Sequence, residues 1–238
     1  MKKDVTVPNG TPIRSGRYPW GKPAKKDKYL SIITNFGCHF SCPYCIVKNN
    51  GIDVPKTTME SLIYLDDAVK KTGANIISLS GGGDPLYEYE NHKDYYKILF
   101  DLCDEMKIPL ELHTSYTRYV GIPYWRFNRI VYHLHSVDQI STIFKHSHEI
   151  VRVVFVVTED FTPEKIMEIV AAVKRNSDIT ELSFRQMVDS NYQATDYCQE
   201  FLRKGHKKWW YYIEQNDYND YFVNGKIFKK FSEIHSEV

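Results

Sequence analysis

Three of the five cysteines fall within eight residues, in the run Gly37-Cys38-His39-Phe40-Ser41-Cys42-Pro43-Tyr44-Cys45. The spacing is C-x3-C-x2-C. An odd cysteine count with three packed together is a poor disulfide framework and reads first as a metal site. A four-iron cluster has four corners, and cysteine thiolates hold them. Three protein ligands leave one iron open, and an open metal position is where a cofactor or substrate binds. A closed zinc site is the alternative, with His39 as the fourth ligand. His39 directly follows Cys38, a spacing that wraps a tetrahedral ion poorly, and no second pair of ligands follows. The spacing therefore favours a 4Fe-4S cluster on Cys38, Cys42 and Cys45. Cys103 and Cys198 fall on apolar stripes, Cys103 with Leu99, Leu102 and Met106, and Cys198 with Ala194 and Phe201. Both read as core residues.

A second motif reads Ser80-Gly81-Gly82-Gly83-Asp84-Pro85-Leu86. Glycines at the C-terminal end of a parallel strand let a ligand approach the backbone. Asp84 adds a carboxylate suited to an ammonium group. A tight turn would explain the glycines alone, but the run stands one βα unit after the cysteine loop.

The elements that position these motifs alternate. Strands are expected at Tyr29–Asn35, Asn75–Ser80, Leu110–Ser115, Arg129–His135, Val151–Thr158 and Glu181–Val188, as short runs rich in β-branched residues. Thr57 with Glu60 predicts a capping box for a helix stopped by Gly73. A stripe of Leu99, Leu102 and Met106 predicts the next helix, and Thr162-Pro163 opens another with Ile166, Ile169, Val170 and Val173 on its face. Further helices are expected over Asp138–Lys145 and from about Ala194 to Arg203, while Arg118–Asn128 has room only for a short one. The chain then predicts an α/β fold, a partial (β/α)6 TIM-like barrel, because six units are too few to close eight. Residues 1–28 read as an extended arm, 29–205 as the barrel, and 206–238 as a β-rich extension packed on it. The extension holds strands at Trp209–Ile213 and Tyr221–Phe228, with a turn at Asn224-Gly225.

With both motifs placed, residues 29 to 190 resemble the radical S-adenosylmethionine (radical SAM) superfamily. The resemblance implies a cluster that binds S-adenosyl-L-methionine and cleaves it to a 5′-deoxyadenosyl radical, which abstracts hydrogen from a substrate. It also implies an electron donor such as flavodoxin or ferredoxin. By resemblance Cys38, Cys42 and Cys45 match the cluster ligands and Tyr44 the aromatic residue near the adenine. Gly82, Gly83 and Asp84 match the motif that receives the methionine amino group, with Asp84 in place of the usual Glu. Thr114 and Ser115 match a hydroxyl-bearing strand end near the cofactor. Ser136 and Asp138 match a ribose-contacting Ser-x-Asp segment.

Alternation turns Glu111, His113 and Ser115 of the third strand inward, with Val131, His133 and His135 of the fourth and Ser183, Arg185 and Met187 of the sixth. A structural barrel fills this space with aliphatic layers. Buried charge needs a partner or a ligand. Either these residues satisfy one another, for instance Glu111 with Arg185 or a histidine, or they line a polar pocket. In the second case Glu111, His113, His133, His135 and Arg185 are catalytic candidates, and Arg152 or Arg185 would take the cofactor carboxylate or an anionic substrate. A second metal at the histidines is a further option.

The formal charge of +1, from 31 basic and 30 acidic side chains, gives no global field for nucleic acid. No apolar run is long enough to span a bilayer, and the N-terminus carries no apolar signal region, so a cytoplasmic protein without a membrane partner is expected. The run Lys207-Lys208-Trp209-Trp210-Tyr211-Tyr212 mixes basic and aromatic residues; it reads as a strand at the barrel edge before a base-stacking surface. Three functions remain. The first is a radical enzyme acting on a polar small-molecule or nucleotide substrate. The second is an activase that installs a glycyl radical in a protein partner, or a modifier of a peptide. The third is a non-catalytic zinc or iron–sulfur binding module.

Overall fold

The computed structural model describes residues 27–49, 51–117, 121–146, 149–189, 191–215 and 219–237. The arm expected over residues 1–28 lies almost wholly outside them. Six strands, β1 (Tyr29–Ile32), β2 (Ile76–Leu79), β3 (Leu110–Thr114), β4 (Arg129–His133), β5 (Ile150–Val157) and β6 (Glu181–Gln186), stand side by side in chain order and run parallel. Right-handed crossovers between parallel neighbours in chain order place all the helices on one face. The other face becomes the inside of a partial barrel.

The C-terminal strands lengthen this sheet at both edges. β7 (Tyr211–Ile213) pairs parallel with β6, and β8 (Asp220–Val223) pairs parallel with β1. β9 (Lys226–Phe228) returns antiparallel to β8 through the Asn224-Gly225 turn, where both residues have positive φ, 47° and 85°. That pair of left-handed residues is what a two-residue hairpin of right-handed twist requires.

The helical face holds the main core. Leu30, Ile77, Leu112, Tyr132, Val153 and Phe184 from the strands are fully or almost fully buried there. They pack against α2 (Leu65–Thr72), α3 (Lys93–Met106) and α4 (Pro163–Arg175); a short α1 (Ile46–Asn49) follows the cysteine loop, and α5 (Gln199–Gly205) precedes β7. α4 forms as its sequence predicts: the Thr162 hydroxyl accepts the Lys165 amide, Pro163 starts the helix, and Ile166, Ile169, Val170 and Val173 are buried. Cys103 is buried in the same core. A second apolar cluster of Ile33, Val54, Val223 and Ile234 joins the top of β1 to the hairpin and to the turn at Phe231–Glu237.

Three local expectations need correction. The Thr57 capping box does not form: Thr57 is buried and its hydroxyl donates to the Ile33 carbonyl, while Thr58 accepts the Ser61 amide at 3.3 Å. Thr57 thus ties the end of β1 instead of starting a helix, and the chain winds first as a 3-10 turn over Glu60–Tyr64. The helix expected from Ala194 begins only at Gln199, because Cys198 is left-handed (φ 51°) and Asp189 closes a turn by accepting the Asn191 and Gln193 amides at 2.8 Å each. Ala194 is exposed, and Cys198 is half-buried with its thiol 3.1 Å from the Phe161 carbonyl. The segment expected as a helix over Asp138–Lys145 is a 3-10 turn, Val137–Thr142, capped by Ser136 and Gln139 in a reciprocal box. Tyr124–Arg126 is likewise one 3-10 turn. Among the described residues, no helix is long and apolar enough to cross a membrane.

Candidate functional site

The cysteine loop leaves the C-terminal end of β1 and turns into α1. Its backbone closes through the Cys45 amide on the Cys42 carbonyl at 3.0 Å. The Lys48 ammonium donates to the Cys38 carbonyl at 3.2 Å and also to that of Phe40. All three thiols are half-buried. Burial first, then the nearby charges of Cys45 and Cys38, push the Cys42 thiol up to about 11. Burial also pushes Cys38 up. Cys38 and Cys42 thus ionise at a cost, one that a bound cation cancels. This donor set fits an iron–sulfur cluster at three corners. Among the described residues, no three His, Cys, Asp or Glu side chains are grouped about a point for a single metal ion.

His135, just past β4, meets this loop. Its Nε2 lies 3.7 Å from the Cys42 sulfur and its Nδ1 lies 2.8 Å from the Tyr44 hydroxyl, with the two rings stacked at 5.9 Å. His39 turns to Tyr116, whose hydroxyl meets its Nδ1, and the rings pack edge to face at 4.4 Å. That contact engages His39 Nδ1 and leaves Nε2 as its one nitrogen for any metal.

The glycine loop follows β2 and is docked on the cysteine loop. The Asp84 amide donates to the Gly37 carbonyl at 2.9 Å. A Cβ on Gly83 would fall well inside contact distance of that same carbonyl oxygen. Gly82 has φ +72°, which side chains rarely adopt. The glycines thus already serve the approach of one loop to the other. Asp84 is buried, and its carboxylate takes the Leu86 amide at 3.0 Å, the Thr114 hydroxyl at 2.8 Å and the Ser115 amide at 2.7 Å. Burial pushes this carboxyl up from its ordinary value, and the donors from Ser115, Leu86 and Thr114 oppose the shift. Asp84 is directed at the end of β3, and its side chain holds the two strand ends together.

Thr114 points to the helical side and is fixed on Asp84, while the Ser136 hydroxyl is used in its capping box. Asp138 is exposed in the first turn that follows.

Deeper in the barrel lies a chain of polar contacts. Glu111 Oε2 takes the Arg129 guanidinium at 2.8 Å, and its Oε1 meets His113 Nε2 at 2.7 Å. His113 Nδ1 meets His133 Nε2 at 2.9 Å. Arg129 also reaches Glu181 at 3.5 Å, and Glu181 takes Arg152 at 2.5 Å. Burial works to raise the Glu111 carboxyl, but His113, Arg129 and Arg152 outweigh it and hold the group below the usual carboxylate range. Burial above all, with the Arg185 guanidinium beside it, lowers His133 well below an ordinary histidine. Part of the self-satisfied network is therefore present, but Glu111 pairs with Arg129 and not with Arg185. Arg152 is engaged by Glu181, and its guanidinium also lies over the Tyr211 ring at 5.4 Å. Arg185 is half-buried and has no carboxylate partner among the described residues. Arg129 and Glu181 are the members that sequence reasoning missed. The same alternation that turned His133 and Arg185 inward assigns both to the interior, as each lies an even number of residues away on its strand.

No protein-family model matches the chain, and no curated protein matches it. Among solved structures it is similar to Streptococcus suis SuiB bound to its precursor peptide SuiA, with a TM-score of 0.62 and 13% identity over 89% of this chain. The chain spans 61% of the SuiB chain. It is also similar to a radical SAM methyltransferase from Sphaerobacter thermophilus, with a TM-score of 0.52 and 11% identity over 84% of this chain and 70% of the other. The partial barrel is thus a fold that a radical SAM enzyme uses.

Proposed function

We propose that this chain is a radical SAM enzyme acting on a polar substrate held inside the partial barrel. The observation that carries the reading is the half-buried C-x3-C-x2-C loop at the strand C-termini with the glycine loop docked against it. Cys38, Cys42 and Cys45 would hold a 4Fe-4S cluster, and the backbone of Gly82 and Gly83, with Tyr44, would receive S-adenosyl-L-methionine. When bound, these groups supply a 5′-deoxyadenosyl radical able to take a hydrogen atom from carbon. The protein's own part is to bind, orient and protect. His135 and Tyr44 brace the loop at Cys42, Lys48 ties its carbonyls, and Asp84 fixes the glycine loop to β3. The substrate would sit in the polar interior beside the half-buried His133 and Arg185. A reducing compartment such as the cytoplasm and a donor such as flavodoxin or ferredoxin suit this chemistry.

Anaerobic reconstitution tests the reading. The protein should take up about four irons and four sulfides, with visible absorption that bleaches on reduction. Cys42→Ala should lose most of it. Stoichiometric zinc without sulfide would reject the proposal in favour of a binding module.

A second reading concerns the substrate. SuiB, which shares the fold, is seen with a precursor peptide. A polar side chain of a peptide would fit the same interior, and a peptide modifier is supported to that extent. Comparing 5′-deoxyadenosine release with peptide and metabolite pools separates the two.

A further inference from the structure

The line Glu111–His113–His133 has a definite electrical sense. Glu111 is a buried carboxylate fixed by Arg129, so it accepts, and His113 Nε2 must carry the proton in their 2.7 Å contact. A neutral His113 then has its lone pair on Nδ1. The 2.9 Å contact to His133 therefore requires the proton on His133 Nε2. That leaves a lone pair on His133 Nδ1, which makes no hydrogen bond among the described residues. A cationic His113 would reverse the line and put a proton on His133 Nδ1. The four charges below, Arg129, Arg152, Glu111 and Glu181, close on one another, whereas Arg185 has no carboxylate partner among the described residues. The charged and titratable groups facing His133 are thus His113 and Glu111 from β3, Arg185 from β6 and His135 from its own strand. Arg185, a fixed cation beside His133, opposes a proton on it in the resting state.

We propose that His133 Nδ1 is the barrel's proton acceptor, set in that tautomer by Glu111 through His113, and that it serves a substrate whose anionic group is held by Arg185. This rests on the reading of the interior as the substrate pocket. The step is a proton transfer. A substrate H–C–X–H, with X oxygen or nitrogen, that has lost the hydrogen atom on carbon becomes •C–X–H, and its X–H is more acidic than before. The X–H bond breaks with both electrons staying on X, and the proton forms an N–H bond at His133 Nδ1. The resulting charge is shared down the line toward the Glu111 carboxylate. His133 is the catalytic residue here; His113 and Glu111 are positioning residues.

Histidine-selective nitrogen-15 NMR on the full chain, recorded both as purified and after cluster reconstitution, tests this without knowledge of the substrate. At neutral pH, His113 and His133 should both be neutral Nε2–H tautomers. His113→Phe should leave His133 a mixture of the two tautomers, which a purely packing role for His113 would not predict. A His133 that carries its proton on Nδ1 in the unaltered protein overturns the proposal, as does an unchanged His133 tautomer in His113→Phe. In the same spectra, inorganic phosphate and acetate, added separately, report which anion the guanidinium takes. Saturable shifts at His133 that vanish in Arg185→Gln support the anionic class, and signals unmoved by both anions overturn it. These outcomes are independent of iron and sulfide content, so a failed radical SAM reading and a failed relay are told apart.

Discussion

At the residue scale, Asp84 shows how a motif residue can be spoken for before any ligand arrives. Its two oxygens satisfy the amides of Leu86 and Ser115 and the hydroxyl of Thr114. Removing it leaves those donors buried without an acceptor, at about 1–3 kcal/mol for each unsatisfied group. Asp84→Ala should therefore lower folding stability by roughly 2–4 kcal/mol, and Asp84→Asn by less, since one oxygen remains. Urea unfolding measures both. An Asp84→Ala protein as stable as its parent, yet weakened in cofactor binding, would return the carboxylate to the ligand. Gly83 carries the same lesson: no side chain fits over Gly37, so its substitution tests loop docking before it tests cofactor affinity. The cysteines could be singled out as candidates because a ligand set within one loop shows in its spacing. Asp84's partners were not, because Thr114 and Ser115 come from another strand about thirty residues on.

At the scale of elements, all six barrel strands were readable, each to within a few residues, because short β-branched runs between turn signals have few alternatives. The helices read less well where the pattern was short. Val137–Thr142 winds as a 3-10 turn, too short to repay nucleation of a full α-helix, and Glu60–Tyr64 is a tightened 3-10 turn that runs straight into α2. The Asp-Ser-Asn of residues 189–191 is a turn signal that the expected helix from Ala194 overrode. Gly205 is the last residue of α5, and a Cβ there would collide with the ring of Trp210, which is buried and donates to the Leu202 carbonyl at 2.8 Å. Gly205→Ala should then displace Trp210 and cost about 1–3 kcal/mol by overpacking, despite alanine's better helix propensity. Thermal unfolding, read with tryptophan fluorescence, checks this; a stabilised variant with an unshifted spectrum would contradict it.

At the scale of the whole molecule, the titratable groups give the fold a direction of pH sensitivity. Burial holds His92, His133, His146 and His206 below the ordinary histidine value. Above about pH 6.5 both folded and unfolded chains keep these rings neutral and no cost arises. Below it the unfolded chain binds protons that the folded one refuses, so stability falls as pH falls. Glu111 acts in the same sense further down: its contribution is present above its ordinary value and is lost as pH drops through the lowered one. The melting temperature should therefore decline between about pH 7 and pH 5.5. His133→Gln should flatten the decline, since that one buried ring contributes a slope approaching about 1.4 kcal/mol per pH unit. A melting temperature that is flat or rises on acidification over this range would contradict the burial of these rings.

The sheet's first strand is completed by nearly its last. β1 pairs with β2 on one side and with β8 on the other, and Ile33 at its end packs against Val223 and Ile234. During synthesis, then, β1 and the cysteine loop that leaves it wait with one edge bare while almost two hundred residues are made. Pairings so distant along the chain form slowly, and a bare strand edge is a template for wrong partners. The loop's apolar flank at Val47, Ile52 and Val54 gains its cover only when residues 220–234 have left the ribosome. A nascent chain stalled short of β8 would present the thiols of Cys38, Cys42 and Cys45 beside an unfinished edge.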